Sequence, residues 1–91
     1  MASEQSQGDR YRQGVGDVKR GIHATIRQQV RRDGGGTRAL SAINAYAESP
    51  HFAAVKETYG PAARRMFFDA FQELLDQGVI HQDSRRRVTL A

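Results

Sequence analysis

Residues 52–90 read FAAVKETYG (52–60), PAARRMFFDAFQELLDQG (61–78) and VIHQDSRRRVTL (79–90). The first run carries Phe52, Val55 and Tyr59 at helical spacing and stops at Gly60, which predicts a short amphipathic helix. Pro61 then opens a longer helix, because its missing N–H has no intrahelical partner in the first turn. Phe67, Ala70, Phe71 and Leu74 make the inner side of that helix, with Met66 and Leu75 flanking it. Phe68 falls off the stripe and is expected to pad the edge of the core. Gly78 closes the helix, since glycine tolerates the left-handed conformation of a C-cap. Beyond it the period changes to two. Val79-Ile80 lead into the turn-forming His81-Gln82-Asp83-Ser84, and Val88 and Leu90 alternate with Arg87 and Thr89. A small hairpin is expected there, and because two strands alone are marginal it must pack on helices.

Working back towards the N-terminus, Val15, Val18, Ile22, Ile26 and Val30 recur at spacings of three and four, one helical stripe over 15–32. Gly16 and Gly21 should weaken its first turns, each by about 1 kcal/mol against alanine. Lys19, Arg20, Arg27, Arg31 and Arg32 occupy the opposite face, which reads as a solvated surface. Asp33-Gly34-Gly35-Gly36 breaks the helix as a flexible connection, and Thr37 offers an N-cap. The next helix is expected over about 38–48 with Leu40, Ile43, Tyr46 and Ala47 inward. Ser49-Pro50 is a restart signal, an N-cap followed by a first-turn proline. Residues 1–13 are polar with no periodic apolar face, and read as a disordered arm.

Helix, tight turn, helix and hairpin is the order of a winged helix-turn-helix. The expected fold is therefore mainly α with a small C-terminal β-hairpin, a single winged-helix-like domain over 14–91 behind an arm at 1–13. At 91 residues there is room for one domain. There is no cysteine, and no apolar run approaches the roughly 20 residues of a membrane span. MASEQSQGDR lacks the hydrophobic segment of a secretory signal, so a cytoplasmic location is the expectation.

Net charge is +4, and of the 14 basic residues only Lys19 and Lys56 are lysines. Arginine suits phosphate and base edges because its guanidinium fork binds bidentately and stays charged, although a GC-rich genome produces the same bias. In a helix-turn-helix the second helix enters the major groove by its N-terminal residues. Here these are Ala62, Ala63, Arg64 and Arg65: small residues that let the backbone approach, and arginines that reach guanine or phosphate. Lys56 on the preceding helix is a backbone contact, and Arg85, Arg86 and Arg87 sit where a wing tracks phosphates or the minor groove.

The ending resembles that of winged-helix regulators of the multiple-antibiotic-resistance type. It has a leucine, a helix-ending glycine, an aliphatic pair, an Asp-Arg-Arg group and an aliphatic-Thr-Leu strand. Here these are Leu74, Gly78, Val79, Ile80, Asp83, Arg85, Arg86, Val88, Thr89 and Leu90, with Ser84 interrupting the Asp-Arg pair. Gly60 stands where those proteins turn between their two helices. The resemblance implies a DNA-binding fold, and says little about the ligand. The leading expectation is a small basic DNA-binding protein, a transcription regulator or a replication, plasmid or phage accessory factor, acting on duplex DNA with a homodimer as one arrangement. The alternative is a winged-helix interaction module for an acidic protein, presenting Phe68, Tyr46 or the arginine face. An enzyme is not expected, nor a cofactor or a metal. His23, His51 and His81 fall on different elements without ligand spacing, and no carboxylate pair sits in an apolar setting.

Overall fold

Val15, Val18, Ile22, Ile26 and Val30 all turn inward, and the helix that carries them is the spine of the molecule. The structure, a computed structural model, describes residues 2–91, with side chains from Gly8 onward. Helix α1 spans Ala2–Arg32, β1 Thr37–Arg38, α2 Ala39–Ala47, α3 Pro50–Tyr59 and α4 Ala62–Asp76. The strands β2, Ile80–Gln82, and β3, Arg87–Leu90, complete the chain. The fold is mainly helical with a small C-terminal antiparallel sheet, a winged-helix-like arrangement. No helix among the described residues is long and apolar enough to cross a membrane.

The arm expected over 1–13 falls partly outside the described residues, at Met1 and at the side chains up to Gln7. Its remainder belongs to α1. Tyr11 packs against the core and donates its hydroxyl to Asp69 of α4, Arg10 donates to the Thr58 carbonyl at 2.5 Å, and Arg12 pairs with Glu73. These three consecutive residues join the early part of α1 to α3 and α4, where its apolar stripe has faded.

Helix α1 packs most extensively on α4, and two glycines set how closely it approaches its neighbours. A Cβ at Gly14 would meet Met66 Sδ at 2.5 Å, and one at Gly21 would meet Tyr46 Cε1 at 2.6 Å. A Cβ at Gly16 would meet nothing nearer than Arg20 Nη1 at 4.0 Å, and one at Gly8 nothing within 4 Å, so at these two positions glycine has no packing reason. Tyr46, Phe52 and Phe67 form the aromatic centre, each pair of rings 5.4 Å apart between centroids. Tyr46 is fully buried, and its hydroxyl meets His51 Nδ1 at 2.8 Å.

The Gly34-Gly35-Gly36 run is an ordered connection, not a flexible one. Gly34 has φ 79, and Gly35 N–H donates to the Val30 carbonyl at 2.8 Å, the six-to-one bond of a Schellman cap. Gly36 lies beneath Arg87, whose Nη2 donates to its carbonyl at 3.1 Å. Thr37, expected to cap a helix, is a strand residue instead. It is opposite Val88, and Arg38 is opposite Arg87, which makes a three-stranded sheet in the order β1-β3-β2. Among the described residues the buried Thr37 hydroxyl has no hydrogen-bond partner, and the backbone pairs with β3.

Helix α2 is rotated from the expected orientation. Ala39, Ala42 and Tyr46 are buried, Ile43 is half-buried, Ala47 is exposed, and Leu40 is 67% exposed. The small alanines let α2 lie close to α1, and they win the inward positions over the larger apolar residues. Ser49 caps α3 by accepting from Phe52 N–H at 3.2 Å, and Gly60 ends it at φ 65. At the end of α4, Gly78 has φ 71, with Val79 N–H to the Leu74 carbonyl at 3.0 Å and Gly78 N–H to Leu75 at 3.1 Å, again a Schellman cap.

Candidate functional site

The wing is built from one aspartate. Asp83 Oδ1 accepts from the backbone N–H of Arg85 at 2.8 Å and of Arg87 at 2.9 Å. Arg86 N–H returns to the Asp83 carbonyl at 3.0 Å, and Asp83 N–H to the Arg87 carbonyl at 3.0 Å. The turn thus lies at 83–86, and His81 and Gln82, expected in it, belong to β2. Arg86 takes φ 58, the left-handed conformation that follows a tight turn in bulged hairpins and that normally falls to glycine. Its carbonyl accepts from Ala39 N–H at 2.9 Å, which fastens the wing to the start of α2.

This fastening gathers four exposed arginines: Arg38, Arg85, Arg86 and Arg87. They line a shallow concavity of about 570 Å³ with Leu40 and Asp83. Arg38 and Arg87 are direct cross-strand partners, so their side chains leave the same face of the sheet. The single carboxylate of the concavity already serves two backbone N–H groups. Three further carboxylates are engaged where α1 meets α3 and α4. Asp17 accepts from Tyr59 Oη at 2.9 Å and pairs with Arg20, Asp69 takes the Tyr11 hydroxyl, and Glu73 takes Arg12 and Lys19. The four arginines of the concavity thus outnumber its one carboxylate.

The residues expected to read DNA at the start of α4 do not act as one set. Ala63 is 1% exposed and packs in the core, because it faces α3 across the Gly60-Pro61 turn, so a groove contact by its side chain is excluded. Ala62, Arg64 and Arg65 are exposed. Arg64 and Lys56 border an apolar groove between α2, α3 and α4. Arg65, one residue on and so about 100° round the helix, stands towards Tyr11. Burial, then the hydrogen bond to Asp69, pushes the Tyr11 phenol up, and the Arg65 charge opposes this. Phe68, expected at the core edge, is 57% exposed on the groove. Leu40, Ile43 and Ala47 form one stripe of α2 that leads from the wing to this groove, about 10 Å along the helix axis.

Arg38 was not among the expected contacts, and Leu40, Ala47 and Phe68, expected inward or at the core edge, are exposed. The marginal stability of a lone hairpin was the available signal for a further strand, and the glycine run ending at Thr37 was where to look for it. On α1, Lys19 bonds Glu73 and Gln77, and Arg20 and Arg32 pair with Asp17 and Asp33. The exposed Arg20 and Arg32 pairs contribute little to stability, as on a solvated face, whereas Lys19, expected there, is half-buried against α4. The histidines lie on α1, α3 and β2, and among the described residues no group of three His, Asp or Glu side chains converges as metal ligands. Comparison with protein-family models, with curated proteins and with solved structures finds no match.

Proposed function

We propose that this domain binds duplex DNA, with the wing and the start of α2 on the phosphate backbone. The observation that carries the reading is the Arg38–Arg87 cross-strand pair beside Arg85 and Arg86. Like charges directly opposite one another destabilise a sheet, and a polyanion lying between them removes that repulsion. Arg86 adds to the argument, since glycine would serve its backbone conformation better. Guanidinium groups bind phosphate oxygens bidentately, and such charge-assisted bonds are about twice as strong as neutral ones.

In this reading α3, the Gly60-Pro61 turn and α4 act as the helix-turn-helix, with Arg64 nearest the bases and Lys56 on the backbone. Wing contacts position a protein without reading sequence, so modest base selectivity is expected. That profile fits a small regulator or a replication, plasmid or phage accessory factor, and the resemblance of residues 74–90 to multiple-antibiotic-resistance-type regulators supports it. Because one small module buries limited surface, two copies on one duplex give the firmer complex. Fluorescence anisotropy with labelled random-sequence duplex, single strand and RNA tests the reading. Duplex should bind tightest, and absence of any duplex complex at low salt contradicts it.

A further inference from the structure

Phe67 is buried against Tyr46 and Phe52, yet its neighbour Phe68 stands open. Phe68 walls a groove of about 360 Å³. Ile43 and Ala47 of α2 form the facing wall, Phe52 the floor, and Lys56 and Arg64 the rim. No carboxylate lines it. Lys56 Nζ lies 5.3 Å from the centroid of the Phe52 ring, which holds a positive charge at the margin of the apolar floor. Among the described residues neither rim cation takes part in an ion pair.

We propose that this groove docks an amphipathic helical segment of another protein, apolar on one side and acidic along its flanks. An apolar trough bounded by helices accepts the side-chain anchors that a helix presents at i, i+3 and i+7. The rim then selects the charge of the flanks, because Lys56 and Arg64 meet carboxylates favourably and other cations unfavourably. The same rim argues against a second copy of this chain. A two-fold contact sets a patch against itself, which here offers the two cations of each rim no carboxylate in return. Nucleic acid does not suit the floor, which offers neither donors to phosphate nor polar groups to base edges. The wing arginines lie at the other end of the α2 stripe, so substitution there spares the groove, whereas Lys56 and Arg64 are shared with the proposed DNA face.

The test uses the full chain and a dye-labelled synthetic helical peptide with Leu, Phe and Leu at i, i+3 and i+7 and glutamates on both flanks. A second peptide carries lysines in place of the glutamates. The acidic peptide should bind at least about tenfold tighter than the basic one. Phe68→Ala should weaken it by about tenfold or more, with the circular dichroism spectrum and thermal midpoint retained because the side chain is exposed. The double variant K56E/R64E should invert the preference between peptides, and alanines at Arg85, Arg86 and Arg87 should leave acidic-peptide binding in place. Equal binding of both peptides, binding of neither, or indifference to Phe68→Ala overturns the proposal. So does a homodimer, seen by light scattering, that Phe68→Ala dissolves, since the groove would then be filled by a second copy.

Discussion

The backbone carbonyl of Arg86, at the wing tip, accepts a hydrogen bond from the N–H of Ala39, the first residue of α2, at 2.9 Å. That N–H belongs to the first turn of a helix and has no intrahelical partner, so the wing supplies what the helix lacks. Arg38, the N-cap residue, provides no side-chain cap. The wing is thereby joined to the start of α2, and the arginines of both line one concavity.

Arg86 holds a left-handed conformation that costs a residue with a Cβ about 1–2 kcal/mol. Glycine relieves that strain but loses more chain entropy on folding. Arg86→Gly should raise unfolding free energy in urea by up to about 1 kcal/mol while weakening duplex binding. A variant that is both less stable and an equally good binder would contradict the placement of Arg86 on the DNA face.

Arg38→Glu turns a repelling cross-strand pair into an attracting one opposite Arg87. Stability should rise by about 0.2–1 kcal/mol at low salt, with the gain fading as salt screens it. Duplex affinity should fall together with the rise in stability. Denaturation at two ionic strengths and one anisotropy titration measure both.

Much of this fold was legible in the sequence wherever local chemistry decides. The stripe from Val15 to Val30, the Ser49-Pro50 restart, and the stops at Gly60 and Gly78 depend on neighbours a few residues away. Strand β1 was not legible, because two residues carry no period and its partners lie some fifty positions on, at Arg87 and Val88. The orientation of α2 was not either. Tyr46 faces inward as expected, but Ala39 and Ala42 accompany it in place of Leu40 and Ala47, because the close approach to α1 selects small residues. The groove was hidden because Ala47 was assigned to the interior and Phe68 to the core edge, whereas both line it. Of the candidate site, the wing arginines were read correctly as an exposed group, whereas Ala63 was not.

Two glycines of one helix should respond in opposite directions. Gly16→Ala meets open space and should stabilise by about 1 kcal/mol through helix propensity. Gly21→Ala drives a methyl into the fixed ring of Tyr46, and overpacking costs about 1–3 kcal/mol. Thermal midpoints on either side of the parent confirm the packing, and two upward shifts would refute it.

All three tyrosines titrate late. Burial, with a smaller effect of Asp17, pushes Tyr46 up to about 12. Burial first, then the hydrogen bond to Asp17, raises Tyr59, and burial with Asp69 raises Tyr11. An unfolded phenol ionises near pH 10, so above that pH the unfolded chain releases protons that the folded one keeps. Their contribution to stability is whole below pH 10 and declines as pH rises towards about 12. Phenolate absorbance should appear at higher pH in the native protein than in urea, and coincident curves would count against this environment for Tyr46.

The most direct test of the central claim is the salt dependence of duplex binding, with and without the wing charges. For roughly four to six phosphate contacts, log affinity should fall against log salt with a slope of about −4 to −5. Alanine at Arg85, Arg86 and Arg87 together should weaken every duplex to a similar extent and flatten that slope by about 2–3. Association that barely responds to salt, or a slope that the triple substitution leaves unchanged, would contradict a DNA-binding wing.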